Sequence, residues 1–154
     1  MREILFRAKR KNWRDLSKEE WWVEGSYHHQ TDYYGDPCDK HYIIDGTETD
    51  MEGYGGRYEI DPETICQYTG MVDRNGKRIW EDDIVKHEIS DTLGTVKWYQ
   101  EDYVGWCVDD VMIDEQQFTD EMWNECEVIG NAFDDKHLLD KSDYCREQEK
   151  ETED

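Results

Sequence analysis

The sequence predicts a mainly β protein, built as a small antiparallel barrel or as two barrel-like, SH3-like lobes with one or two short helices. Three observations carry that expectation. Short segments such as Met1 to Lys9 and Tyr103 to Val108 alternate apolar and polar residues with the period of two that a half-buried strand requires. Turn residues separate these segments, Asn75-Gly76 and Asp36-Pro37 most clearly. Helical spacing is confined to short stretches, and no repeat of solenoid length occurs.

In the first strand Ile4, Phe6 and Ala8 fall on one side and Arg7 and Lys9 on the other. Arg2, Arg7, Lys9, Arg10, Lys11 and Arg14 outnumber Glu3 at this end. The simplest reading is a solvated strand edge protected by its cations, the alternative being a basic end that grips the acidic remainder. A polar turn over 12–20 leads to a second strand, Trp21 to Tyr27, placed to pair back on the first. Consecutive strand residues face opposite ways, so one of Trp21 and Trp22 is expected to point outward or into a second layer. His28 to Lys40, rich in Asp, Gly and Tyr and holding Asp36-Pro37, is read as a loop. Loops are where partner contacts concentrate, which makes Tyr33 and Tyr34 in the loop, with Tyr27 and Tyr42 on the strands that flank it, the candidate contact residues. His41 to Asp45 is a short strand, and 46–56 a Gly-rich polar connection.

Asp61 to Glu88 holds the strongest turn and strand signals. Read as a two-residue type I′ loop, Asn75-Gly76 sets Val72 opposite Ile79 and Met71 opposite Trp80. Val85, His87 and Ile89 share a face of the following strand, Val96 and Trp98 a face of the next, and Val104, Trp106 and Val108 a face of a third. Phe118, Met122 and Trp123 fit about two turns of helix within 115–124. A strand returns over Cys126 to Gly130, and one last turn covers 134–139. The expected organisation is a β domain over 1–139, divisible into lobes 1–60 and 61–139, followed by an acidic, disordered tail over 140–154.

Forty acidic against eighteen basic residues give the 154-residue chain a formal net charge of -22, which repels phosphate backbones and anionic membranes and favours a basic protein partner. Direct nucleic-acid binding is therefore not expected. Seven Trp and ten Tyr argue for a packed, aromatic core even though 38% of residues are charged. No apolar run approaches the roughly 20 residues that cross a bilayer, and the N-terminus lacks a secretory apolar core, so a cytoplasmic protein is expected. The five cysteines are odd in number and lack a Cys-x-x-Cys pair, as reduced thiols do.

His28, His29, Cys38 and His41 are the one cluster with metal-ligand residue types, although their spacing matches no established zinc pattern and a loop with incidental His and Cys is the better account of them. Acid pairs at Asp82-Asp83, Glu101-Asp102, Asp109-Asp110 and Asp134-Asp135 are expected by composition alone, and adjacent strand residues face opposite ways. His87, between Val85 and Ile89, reads as a core-edge histidine. No phosphate-binding Gly loop, nucleophile elbow or redox Cys pair is present, so neither an enzyme nor a cofactor is expected.

Four segments, in order, together resemble the YopX family of phage and prophage proteins. They are Met1 to Arg7; Asp61-Pro62 with Gln67 to Gly70; Asp73 to Lys77 with Glu81 to Lys86; and Glu127 to Asn131. The resemblance spans 1–139 and implies a phage or prophage context, carrying over no catalytic residue. Ala8 and Asp82 stand where the family pattern has Gly, and Lys136 where it has Pro. The expected function is that of a non-enzymatic protein–protein interaction module, with homo-oligomerisation through strand edges as one form. The alternatives are an acidic DNA mimic that occupies a basic host protein and, third, a metal-dependent enzyme.

Overall fold

In the computed structural model, residues 1–47, 56–87, 93–101, 104–110, 116–117 and 124–140 are described. Contacts divide the chain into two units, Met1–Tyr68 and Thr69–Asp154. Both are mainly β. The described helical structure consists of 3-10 turns of three or four residues and a short helical segment at 124–125. The helix expected over 115–124 falls largely outside the described residues, as does the acidic tail, and Gln116–Gln117 within it is a strand.

Unit 1 contains β1 (Phe6–Lys9), β2 (Trp22–Tyr33), β3 (Asp36–Ile44), β4 (Arg57–Glu59) and the first part of β5 (Cys66–Val72). They lie in the order β4-β3-β2-β1-β5, with antiparallel neighbours throughout. Ala8, Ile43 and Ile60 are the buried centre, with Phe6, Val23, Tyr27 and Ile65 packed on it.

The N-terminal strand is not a cationic edge, because β1 is paired on both sides, by β2 and by β5. Lys9 is only 3% exposed. Its ammonium lies 3.9 Å from the ring centre of Trp13, 4.5 Å from Trp21 and 5.6 Å from Trp22, so three electron-rich ring faces replace part of the water it has lost. Arg7 sits over Trp22, Arg14 over Trp13 and Arg10 over Tyr58. The basic segment thus meets aromatic rings. Trp21 and Trp22 both face Lys9 because Trp21, with φ -64° and ψ -47°, closes a 3-10 turn and is not yet in the strand. The strict alternation expected of two strand residues therefore does not apply to it.

Unit 2 continues β5 and adds β6 (Arg78–Trp80), β7 (Asp83–His87), β8 (Leu93–Gln100), β9 (Val104–Asp110), β10 (Gln116–Gln117) and β11 (Cys126–Asn131). Five of them form a sheet in the order β10-β9-β8-β7-β11, and β6 lies beside β5. The core is Ile79, Val85, Val96, Val108, Cys126 and Val128, with Met71 and Trp106 against it. Both sheets are open, since each strand order has two ends among the described residues. The expected mainly β, antiparallel class holds, and the strands form two antiparallel sheets with no closed barrel among the described residues.

The β5–β6 hairpin also differs from its expected form. Within its loop only Gly76 has positive φ, at 79°. The Asp73 N–H donates to Lys77 O at 2.8 Å and the Gly76 N–H to Asp73 O at 2.9 Å, closing a three-residue loop over 74–76. One extra loop residue shifts the register by one and exchanges the faces of the strand. Met71 therefore joins the Ile79 cluster, while Val72 is left 41% exposed. The determinant is the buried Asp73 carboxylate. Oδ1 accepts from the N–H groups of Asn75 and Lys77, both at 2.9 Å, and Oδ2 accepts from the Val128 N–H of β11 at 3.0 Å. Asp82, where the resemblance leads to the expectation of Gly, has φ 64°. A left-handed residue favours Gly and tolerates Asp better than most others, which accounts for the substitution.

Asp73→Ala is expected to destabilise unit 2 by on the order of 3 kcal/mol, because three N–H groups lose a charged acceptor. Urea unfolding followed by Trp fluorescence checks it. Lys9→Met, which keeps the apolar stem, is expected to cost about 1–2 kcal/mol through the lost ring contacts, and Lys9→Ala more, since a cavity is added. The same titration gives both values.

Candidate functional site: a two-faced hairpin arm

Residues 28–40 form most of a hairpin, not a loop. β2 runs twelve residues to Tyr33, and β3 returns from Asp36. The reversal lies at Tyr34 and Gly35, whose φ values of 51° and 87° give the two positive-φ positions of a two-residue turn. Asp32 Oδ1 accepts the Gly35 N–H at 3.0 Å and fixes that turn. Asp36-Pro37, expected to be the turn, lies in β3 beside a register shift between Gln30 and Asp32. Edge strands and bulges are the sheet positions that tolerate proline.

β1 pairs with β2 only as far as Gly25, and β4 pairs with β3 only over Tyr42–Ile44, extended by the Ile60 N–H to His41 O. Beyond these points the hairpin is a two-stranded ribbon with no described strand on either edge. We refer to this ribbon as the arm. At Gly25 a Cβ would lie 2.0 Å from the Ile44 carbonyl oxygen, so β2 and the end of β3 approach there as only glycine allows.

One face of the arm carries imidazoles. His29 lies directly across from His41. The odd-numbered residues of β3 direct their backbone groups to β4, as His41 O and the Asp45 N–H show. His29 and His41 are therefore a non-hydrogen-bonded pair, the kind with the closest side chains. Their rings stack 4.2 Å apart at 8°. Asp39, two residues before His41 and so on its face, places Oδ1 2.6 Å from His29 Nε2 and 3.2 Å from His41 Nε2. The other ring nitrogen of His41, Nδ1, shares a 2.6 Å hydrogen bond with the Tyr27 hydroxyl, and Tyr27 packs on Phe6 of the core. The hydrogen bond from His29 is the main cause holding the Asp39 carboxyl below the usual carboxylate value; positive charge on His41 and His29 acts in the same direction, and partial loss of water opposes it.

The opposite face borders a cleft of about 870 Å³ lined by Tyr33, Tyr34, Tyr42, Lys40, Arg57 and Glu59, among others. The Arg57 guanidinium lies 3.9 Å above the Tyr42 ring and donates to Gln30 Oε1 at 3.1 Å. Tyr33 and Tyr34 meet edge to face at 4.8 Å at the tip, and Tyr34 is 93% exposed.

The sequence-derived candidates separate accordingly. Of the tyrosines, Tyr33, Tyr34 and Tyr42 line the cleft and Tyr27 serves the imidazole face. Of the four proposed metal ligands, His29 and His41 come together, whereas His28 stacks with Tyr42 and Cys38 lines the cleft with its Sγ on Gln30 O. Alternation on a strand separates neighbours, which a loop assignment hid. Asp39 and Arg57 were not singled out. The spacing Asp39-x-His41 was the signal for the first, and Arg57 carried none. Elsewhere His87 Nε2 lies 3.2 Å from Glu125, and the buried Cys126 thiol is pushed up to about 12, by burial first and then by Glu125 and Asp73.

These features define a class: a two-unit antiparallel β protein that presents a two-faced hairpin arm. The YopX protein family matches residues 5–140. The chain belongs to the YopX family. Among curated proteins there is no match.

Because the Asp39 carboxyl is depressed, its contribution is complete above the unfolded value of about 4 and is lost as pH falls through the lower folded value. A carboxyl NMR titration is expected to give Asp39 a lower midpoint in the native protein than in His29→Ala. Thiol labelling at pH 8 in a Cys145→Ser background is expected to modify Cys38 first and Cys126 only on unfolding, since Cys38 is half-buried and Cys126 is buried with a raised value.

Proposed function

We propose that this protein acts by protein–protein contact, with the β2–β3 arm as the contact element and a basic protein of the host cell as partner. The observation that carries the reading is the arm itself: a ribbon with two unpaired edges among the described residues, tipped by an exposed Tyr33–Tyr34 pair beside a cleft holding Arg57 and Tyr42. Tyrosine and arginine are the residues that most often dominate binding energy at interfaces, and unpaired edges accept an added strand. The formal charge of -22 favours a basic partner and speeds its encounter. As part of the same proposal, the protein is a phage or prophage product that works in the cytoplasm of its host cell, a context that membership of the YopX family supports. Among the described residues no helix is long and apolar enough to cross a membrane. Edge-to-edge pairing of two arms is the self-association form of the same proposal.

The charge supports a second reading, an acidic decoy that occupies the nucleic-acid site of a basic host protein. The two readings separate by variant and by salt. Tyr33→Ser with Tyr34→Asn removes both rings, and Asn tolerates the positive φ of the turn. Capture from a lysogenic host is expected to retain a partner on the native protein and lose it on the double variant, with light scattering reporting any self-association lost in parallel. Equal capture by both proteins sinks the arm reading. Capture that is equal and collapses at high salt points to the decoy.

A further inference from the structure

The imidazole face of the arm has the composition and layout of a metal site, independently of any partner at the cleft. We propose that His29, Asp39 and His41 bind a divalent first-row transition ion of the zinc type, with at least one coordination position left open. One donor atom from each residue lies within 4.8 Å of the other two. The carboxylate oxygen is already between the two Nε2 atoms, at 2.6 and 3.2 Å. Two neutral imidazoles and one carboxylate suit zinc, nickel, copper or iron and not calcium or magnesium, which take oxygen donors. Three protein ligands are also the number found where a zinc ion keeps a position for water or another molecule.

Two further observations point to ligation and not to a plain ion pair. First, His41 is held from behind by the Tyr27 hydroxyl on Nδ1, and Tyr27 is itself anchored on Phe6. A hydrogen bond to the second ring nitrogen is the outer-shell contact that fixes the orientation of metal-bound histidines. Second, two imidazoles share one carboxylate oxygen. If Nδ1 of His41 carries its proton toward Tyr27, Nε2 presents a lone pair to the carboxylate, and a bound cation removes that repulsion. The parallel rings must turn toward each other to direct both lone pairs at one ion. The final side-chain torsion of histidine is soft, and His29, with its side chain 41% exposed, has room to turn while His41, at 15%, stays held. The register shift between Gln30 and Asp32 adds a residue to β3 beside Asp39, and such shifts commonly re-aim a side chain at a site.

The test is Zn²⁺ titration of the tag-free, full-length protein by calorimetry, with Co²⁺ absorption as a second readout. The native protein is expected to bind one equivalent with the visible bands of nitrogen- and oxygen-ligated cobalt. His29→Ala and His41→Ala are each expected to lose at least about 10-fold in affinity, and Tyr27→Phe about 10-fold, the loss typical of an outer-shell contact. The double variant His28→Ala with Cys38→Ser is expected to bind as the native protein does. Circular dichroism confirms that each variant is folded, and a rise in thermal midpoint with Zn²⁺ is expected in the native protein and absent in His41→Ala. No saturable binding, or binding unaffected by His29→Ala and His41→Ala, overturns the site and leaves an ordinary His–Asp cluster. Binding lost in the His28/Cys38 variant also overturns it, because the ligands would then lie on the other face.

Discussion

The offset pairing of β2 is the constraint on which the candidate site depends. One twelve-residue strand pairs with β1 over Trp22 to Gly25, and with β3 from Ser26 onward. Had both neighbours covered the same span, His28 to Tyr33 would lie inside a sheet. The offset instead sets two strands apart as a ribbon and fixes which side chains share a face. His29, Asp39 and His41 go to one side, and Tyr42, Lys40 and Arg57 to the other. A turn one residue longer or shorter would have set the β3 residues Asp39 and His41 on the face opposite His29.

A two-stranded hairpin is marginal by itself in water, so the arm depends on how its base is tied down. Tyr27 bonds His41 and packs on Phe6, joining the imidazole face to the cluster of Ala8, Ile43 and Ile60. On the other face Arg57 bridges Tyr42 and Gln30, linking β4 across β3 to β2. The Lys9 cage supports the same region from below: Lys9 pairs with Trp22, the first residue of β2, and its ammonium fixes three indoles. In unit 2 the buried Asp73 plays the comparable part, setting a loop length and the register of a hairpin. In both units a polar group that the apolar pattern does not reveal decides where the apolar residues go.

This explains what was legible in the sequence. The period of two in Phe6 to Lys9, Asp83 to His87 and Val104 to Val108 marks those strands, and the mainly β class follows from it; burial does not follow the same alternation, since Lys9, Asp83 and Cys107 are buried and Val104 is 72% exposed. Family membership was legible too, because turn and cap residues such as Asp73, Gly76 and Pro62 sit at fixed offsets. The arm was not legible. With both faces solvated, His28 to Lys40 has no apolar alternation, and Asp, Gly, Tyr and Pro read as a loop. Its turn uses Tyr34 in a conformation that favours Gly or Asn. The loop length at Asn75-Gly76 was missed because the controlling bonds come from the side chain of Asp73. Of the metal candidates, residue type singled out His29 and His41, and only strand register separates them from His28 and Cys38 and adds Asp39.

The central claim is the register of the arm, and nuclear Overhauser spectroscopy of the isotopically labelled protein tests it most directly. In a non-hydrogen-bonded antiparallel pair the two Hα atoms face each other. A strong Hα–Hα cross-peak between His29 and His41, with strand-like shifts from Ser26 to Tyr33 and from Asp36 to Ile44, is the expected result. Random-coil shifts over His28 to Lys40 with no cross-strand peak would contradict the account.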